Sequence, residues 1–146
     1  MKKIFSYLLL VVSFSIILTS CKKYPDGPAF SLLSRKARLA NTWHIGSYSE
    51  NGVDKTTDFK NAYQSAKIVI DKEGNYSIYY KAFGLVDYNE SGTWKFSNND
   101  DDFTTTPTSG SGSAGTHHIL KLKDKELWYK EDPDGSNIVR EYHLIP

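Results

Sequence analysis

The sequence predicts an all-β domain: a small antiparallel up-and-down barrel of about eight short strands, preceded by a short helix and a cleaved export signal. Three observations carry this. From Asn41 onward apolar residues alternate with polar ones in short runs bounded by Gly, Asn, Asp and Pro. The runs follow one another through tight turns, without the long helical crossovers that a parallel sheet requires. Roughly a third of residues 22–146 is apolar, enough for one core and not two. Successive hairpins favour closure over an open sheet, because closure leaves no strand edge unpaired.

The chain opens on Lys2 and Lys3, an apolar run from Leu8 to Leu18, and then Thr19-Ser20-Cys21. A basic start, a short apolar core and small residues at the exit describe a secretory signal over residues 1–20. The apolar run falls short of the ~20 residues a spanning helix needs. Residues 21–29 hold two prolines and a glycine and are expected to be a linker. The domain proper is expected over 30–146. Its first segment, Phe30 to Leu39, has apolar residues at 30, 33 and 37, the spacing of a short helix. Ser31 and Ser34 are candidate N-caps, and Arg35, Lys36 and Arg38 give it a basic side.

Strand signals follow in order. Trp43, Ile45 and Ser47 alternate with polar neighbours up to a hairpin turn at Asn51-Gly52. Phe59, Ala62, Tyr63 and Ala66 are spaced for a turn or two of helix, set to close one end of the barrel. Ala66–Ile70 and Asn75–Lys81 form the clearest hairpin, around Asp71-Lys72-Glu73-Gly74. Asn89-Glu90-Ser91 reads as a turn before a strand at Gly92–Phe96, and a short strand is expected at Phe103–Thr106. Thr108–Thr116 reads as a glycine-serine loop. Three last strands are expected at His118–Leu122, Glu126–Lys130 and Ile138–Leu144.

Asn41-Thr42-Trp43, Gly92-Thr93-Trp94, the Asp71–Tyr76 turn and Lys125-Glu126-Leu127-Trp128 stand in an order that resembles the lipocalin-like lipoproteins of Gram-negative bacteria. Asn41 departs from the glycine that family carries before its first tryptophan. Leu18-Thr19-Ser20-Cys21 likewise resembles the bacterial lipoprotein signal. That resemblance implies lipidation of Cys21 by several acyl chains such as palmitate, and a permanent membrane tether. Lys22 stands where an aspartate would mark retention in the inner membrane of some bacteria, so the implied location is the outer membrane. The family resemblance also implies that Trp43 closes one end of the barrel with Arg140 lying across it, as a structural pair. It implies a small hydrophobic or amphipathic ligand inside.

Chemistry beyond binding finds little support in the residues. Without its signal the chain sits close to neutrality, from +1 overall, so no electrostatic case for nucleic acid arises. His117 and His118 alternate in a strand and cannot share a metal, while His44 and His143 fall in the first and last strands without a completing ligand set. Asp132, Asp134 and Ser136 begin like a calcium loop but lack its glycine and terminal glutamate at the required positions. The acidic run Asp100-Asp101-Asp102 reads as a solvated loop tip. No catalytic residue, cofactor or metal is expected, and the protein is read as non-enzymatic. Tyr76, Ile78 and Tyr80 share one strand face, as do Trp94 with Phe96 and His118 with Leu120 and Leu122. These define the expected ligand-lining set: Tyr76, Ile78, Tyr80, Trp94, Phe96, Leu120 and Leu122. A barrel of eight strands is wide enough either to pack solid or to hold one small molecule. Two readings follow. One is a carrier. The other is a solid interaction module meeting a protein or glycan through loops 83–91 and 98–116, or through Tyr79 and Tyr88.

Overall fold

The computed structural model describes residues 24–25, 31–132 and 136–146. Residues 1–20, Cys21, the linker from 26 to 29, Phe30 and the turn at 133–135 lie outside the described residues. The strands are β1 (Thr42–Glu50), β2 (Val53–Asp54), β3 (Tyr63–Ile70), β4 (Asn75–Ala82), β5 (Val86–Ser97), β6 (Asp102–Ser109), β7 (Gly115–Lys123), β8 (Glu126–Glu131) and β9 (Arg140–Ile145). Eight of them pair antiparallel in the order β1-β3-β4-β5-β6-β7-β8-β9, and β9 returns to β1 to close the barrel. The two-residue β2 folds back on the end of β1 through Asn51 and Gly52, whose φ values of 49° and 78° are those a tight two-residue hairpin needs.

One end of the barrel is closed and holds the core. Helix α1 (Arg35–Leu39) is capped by Ser34, whose Oγ accepts from the Ala37 amide at 3.1 Å. It delivers Leu39 onto Trp43, Ile119, Leu122, Leu127 and Leu144, all essentially free of solvent. Trp43 Nε1–H donates to the Leu39 carbonyl at 2.9 Å, satisfying a carbonyl that the helix itself leaves open. At the opposite end, helix α2 (Thr56–Ala62) crosses from β1 to β3 and lays Phe59 over the barrel opening. It begins earlier than the expected helical turns and stops at Ala62, so that Tyr63 and Ala66 belong to β3.

Several expectations are corrected. Tyr24 is no spacer residue: it is buried, and its hydroxyl donates to the Asp100 carbonyl at 2.8 Å. Composition hid this, because it does not report that a single aromatic side chain finds a buried place. On the basic side of α1, Arg35 pairs with Asp100 at 2.5 Å and Arg38 is buried, while Lys36 is exposed. Asn89-Glu90-Ser91 is not a turn. β5 runs unbroken through it, and the reversal lies at Phe83-Gly84-Leu85, where Phe83 and Gly84 take φ of 47° and 70°. Glu90 belongs in the strand because Tyr76 and Tyr88 both donate to its carboxylate, at 2.7 Å each. The glycine-serine loop shrinks to residues 110–114, since β6 and β7 reach in from both sides. The expected contact loops shrink with it, and Tyr88 is half-buried, whereas Tyr79 is exposed.

Trp43 and Arg140 do not pair. In the antiparallel register of β1 with β9, Arg140 stands opposite Glu50, seven residues of strand beyond Trp43 and so about 20 Å away. Leu120 is displaced by a shift in pairing between Ile119 and Lys121 on β7. Ile119 and Leu122 are buried instead, and His118 faces away from them to bond Asp102 at 2.7 Å. His44 pairs with Ile145 and His143 with Ser47, so the two histidines are offset along the seam.

Glycine 92 is fixed by its surroundings. A Cβ there would sit 2.2 Å from the Thr106 carbonyl oxygen and 2.8 Å from the Tyr76 ring. Its bare backbone leaves room for the Tyr76 ring, which stands opposite it in register and is buried.

Candidate functional site

Above the packed floor the barrel encloses a cavity of about 590 Å³. Its deeper wall is aliphatic, from Ile45, Ile68, Ile70, Ile78, Leu127 and Leu144. Its upper wall is a continuous aromatic belt. Tyr129 stacks on Tyr142 (4.8 Å, 19°), and Tyr142 meets Tyr48 at 5.0 Å. Tyr48 meets Phe59 of α2, and Phe59 meets Tyr63, both at 4.7 Å. Tyr63 stands edge-on to Tyr80 at 5.0 Å, and Tyr80 stacks on Tyr88 at 4.5 Å. On the other side Tyr129 meets Phe103 at 5.5 Å, and Phe103 stacks on His117 at 4.4 Å. Every barrel strand contributes one ring. The belt follows from strand geometry: cross-strand neighbours on one face stand close enough for rings to touch.

Polar groups interrupt this wall at defined points. Tyr48 donates to Glu50 Oε1 at 2.6 Å. His117 Nδ1 lies 2.6 Å from Glu131 Oε1, and its Nε2 lies 2.9 Å from Thr105 Oγ1. The carboxylate can only accept, so Nδ1 carries a proton, and in the neutral ring Nε2 accepts from the threonine hydroxyl. Hydroxyl, imidazole and carboxylate in this order form a hydrogen-bonded chain. The three groups make one defined polar point on the cavity wall.

Tyr63, Tyr80, Tyr129 and Tyr142 all line the cavity, and among the described residues none of their hydroxyls has a hydrogen-bond partner. Tyr129 is only 4% exposed, so its hydroxyl has the cavity interior as its remaining outlet. Burial, aided by the charge of Glu131, holds the Tyr129 and Tyr142 hydroxyls well above the ordinary tyrosine value. Burial and then the Glu50 bond do the same for Tyr48.

Of the expected lining residues, Tyr76, Ile78 and Tyr80 face the cavity. Trp94 and Leu122 are buried in the core of the closed end, with Trp94 Nε1–H donating to the Asp71 carbonyl at 3.0 Å. Phe96 packs edge-on against Trp94 at 5.3 Å, outside the cavity wall, and Leu120 reaches neither core nor cavity. Sequence reasoning missed Tyr48, Phe59, Tyr63, Phe103, His117, Tyr129 and Tyr142. A signal for three of them was present: Tyr129 shares a face with Leu127, Tyr142 with Leu144, and Phe103 with Thr105.

A closed antiparallel barrel with a packed floor and an internal cavity open towards a helix is of the class whose interior has room for one small molecule. The chain belongs to the lipocalin-like domain family, whose model matches residues 39–129, well over half of its length. Among solved structures it is similar to an uncharacterized protein from Bacteroides eggerthii DSM 20697, at 14% identity and a TM-score of 0.52, over 73% of this chain and 97% of that one. That similarity is one of fold. No curated protein matches the sequence.

Proposed function

We propose that this protein is a non-enzymatic carrier that holds one small hydrophobic or amphipathic molecule in its barrel. Lipid on Cys21 tethers it to the outer membrane of a Gram-negative cell envelope. The observation that carries the binding reading is the cavity itself: about 590 Å³, apolar below and ringed by tyrosines, of which Tyr63, Tyr80, Tyr129 and Tyr142 have no hydroxyl partner among the described residues. Ligand pockets run from roughly 300 to 1,000 Å³, with an apolar wall and a few placed polar groups, and this cavity matches on both counts. A solid barrel would leave no such volume.

An apolar fluorescent probe tests it. The purified domain is expected to bind the probe saturably, one to one, and Ile78→Trp is expected to abolish binding by filling the wall while the chain still folds. Probe binding that persists unchanged in Ile78→Trp would place the probe on the surface and sink the carrier reading.

The tether has its own test. Cys21→Ser is expected to release the protein from membranes or leave an uncut precursor, read by fractionation and mass. Normal anchoring of that variant would refute lipidation.

A second reading has one observation in its favour. Phe83, Leu85 and Val86, at the β4–β5 hairpin, are 73%, 84% and 63% exposed and form an apolar tip. Exposed apolar clusters mark interaction sites. On this reading a protein partner meets the tip, and Phe83→Ser combined with Leu85→Ser would abolish its capture without changing probe binding.

A further inference from the structure

We propose that the ligand carries a carboxylate and that Arg140 is its receptor at the mouth of the cavity. This deepens the carrier reading and rests on it. Arg140 is freed from the structural role that sequence suggested by the register of the seam, which sets it between Glu50 of β1 and Glu131 of β8 at the open end. All three side chains line the cavity. Both carboxylates are already engaged, Glu50 by the Tyr48 hydroxyl and Glu131 by His117, each at 2.6 Å. The other cations on the wall are engaged too. Lys55 pairs with Asp58 at 3.4 Å, and the Lys67 ammonium lies 5.0 Å above the Tyr79 ring. Among the described residues the Arg140 side chain has no hydrogen bond and no ion pair within 4.0 Å.

A guanidinium donates and never accepts, and it keeps its charge at any working pH. Left half-buried on a cavity wall, it calls for an acceptor with negative charge. Two hydroxyls on the same wall, without partners among the described residues, are also donors. Tyr142 follows Arg140 by two residues on the same face of β9, and Tyr129 lies opposite Tyr142 in register, its hydroxyl unpartnered. A planar fork and two phenols suit a carboxylate, which the arginine can grip through two parallel N–H···O bonds. The flanking Glu50 and Glu131 set the limit on charge: they repel a doubly charged phosphate far more than a single carboxylate. Below this point the wall turns aliphatic at Ile45, Ile68 and Ile78, where the body of an amphipathic acid would lie.

The test uses three molecules of one chain length, decanoate, decanol and decylamine, competing for the apolar probe at neutral pH. In the unaltered protein decanoate is expected to displace the probe at about a tenfold lower concentration than decanol, the scale of one charge-assisted contact. In Arg140→Gln that advantage is expected to vanish while decanol binds as before, which also reports that the variant is folded. Arg140→Lys, a point charge without the fork, should restore only part of it. Equal binding of decanoate and decanol in the unaltered protein overturns the proposal and leaves the carrier reading standing. So does tighter binding of decylamine, which would assign the mouth to Glu50 and Glu131, or an advantage that survives Arg140→Gln. If neither the probe nor any of the three binds, the carrier reading falls and the proposal with it.

Discussion

Trp43→Ala is expected to destabilise the barrel by about 3–5 kcal/mol, the range for deleting a large aromatic from a core. Trp43 is fully buried, and its neighbours are fixed on every side: Leu39 from α1, Ile70 from β3, Leu127 from β8 and Leu144 from β9. A barrel floor cannot collapse into the space, because each wall residue is held by its own strand pairing. The substitution also removes the indole N–H that satisfies the Leu39 carbonyl, so a buried acceptor is orphaned as well as a cavity opened. Urea denaturation is the measurement. The midpoint should fall with little change in slope, since the surface exposed on unfolding is nearly unchanged. Trp43→Phe should cost clearly less, retaining most of the apolar volume and losing only the hydrogen bond. A loss below about 1 kcal/mol in Trp43→Ala would show that the core does not sit at this end.

The residues that were legible in the sequence share a property: their placement depends on local alternation alone. Tyr76, Ile78 and Tyr80 lie on an unbroken stretch of β4, so the period of two carried them to the right face. Where the period breaks, parity no longer reports the face. The shift between Ile119 and Lys121 puts Leu122 in the core and leaves Leu120 outside, although the two share parity. Glu90 failed for a different reason. Asn89-Glu90-Ser91 has turn composition, and only the two tyrosine hydroxyls converging from β4 and from within β5 make a buried glutamate tolerable in a strand. The Trp43–Arg140 pairing failed because the register of a first strand on a last strand is set by the whole barrel. No spacing within either strand encodes that Arg140 stands against Glu50. The aromatic belt is likewise a product of closure. Tyr48, Tyr63, Tyr129 and Tyr142 are scattered through the chain and become one surface only when the strands that carry them become neighbours.

That belt makes the barrel sensitive to alkali. Stability is expected to fall steeply once the pH rises above about 10, the point at which tyrosines in an unfolded chain lose their protons. In the folded barrel burial keeps the Tyr129 and Tyr142 hydroxyls protonated well beyond that, with Glu131 adding to the effect. Tyr48 and Tyr76 are held up by burial and by their carboxylate partners Glu50 and Glu90, and Tyr24 is pushed up to about 12. Above pH 10 the unfolded chain therefore binds fewer protons than the folded one, and stability declines as pH rises. The contribution is fully present below the unfolded value and is lost as the pH climbs towards and through the folded values. Each such tyrosine accounts for at most about 1.4 kcal/mol per pH unit, so Tyr129 and Tyr142 alone remove up to about 3 kcal/mol by pH 11, a large share of the ~5–15 kcal/mol that holds a small domain. Urea midpoints taken at about pH 8, 10 and 11, with tyrosinate absorbance followed in parallel, are the check. Ionisation of Tyr129 and Tyr142 should appear together with unfolding and not before it, and Tyr142→Phe should flatten the decline. Tyrosinate absorbance that rises fully near pH 10 while the chain is still folded would mean the belt stands in bulk water, with its hydroxyls needing nothing from a ligand.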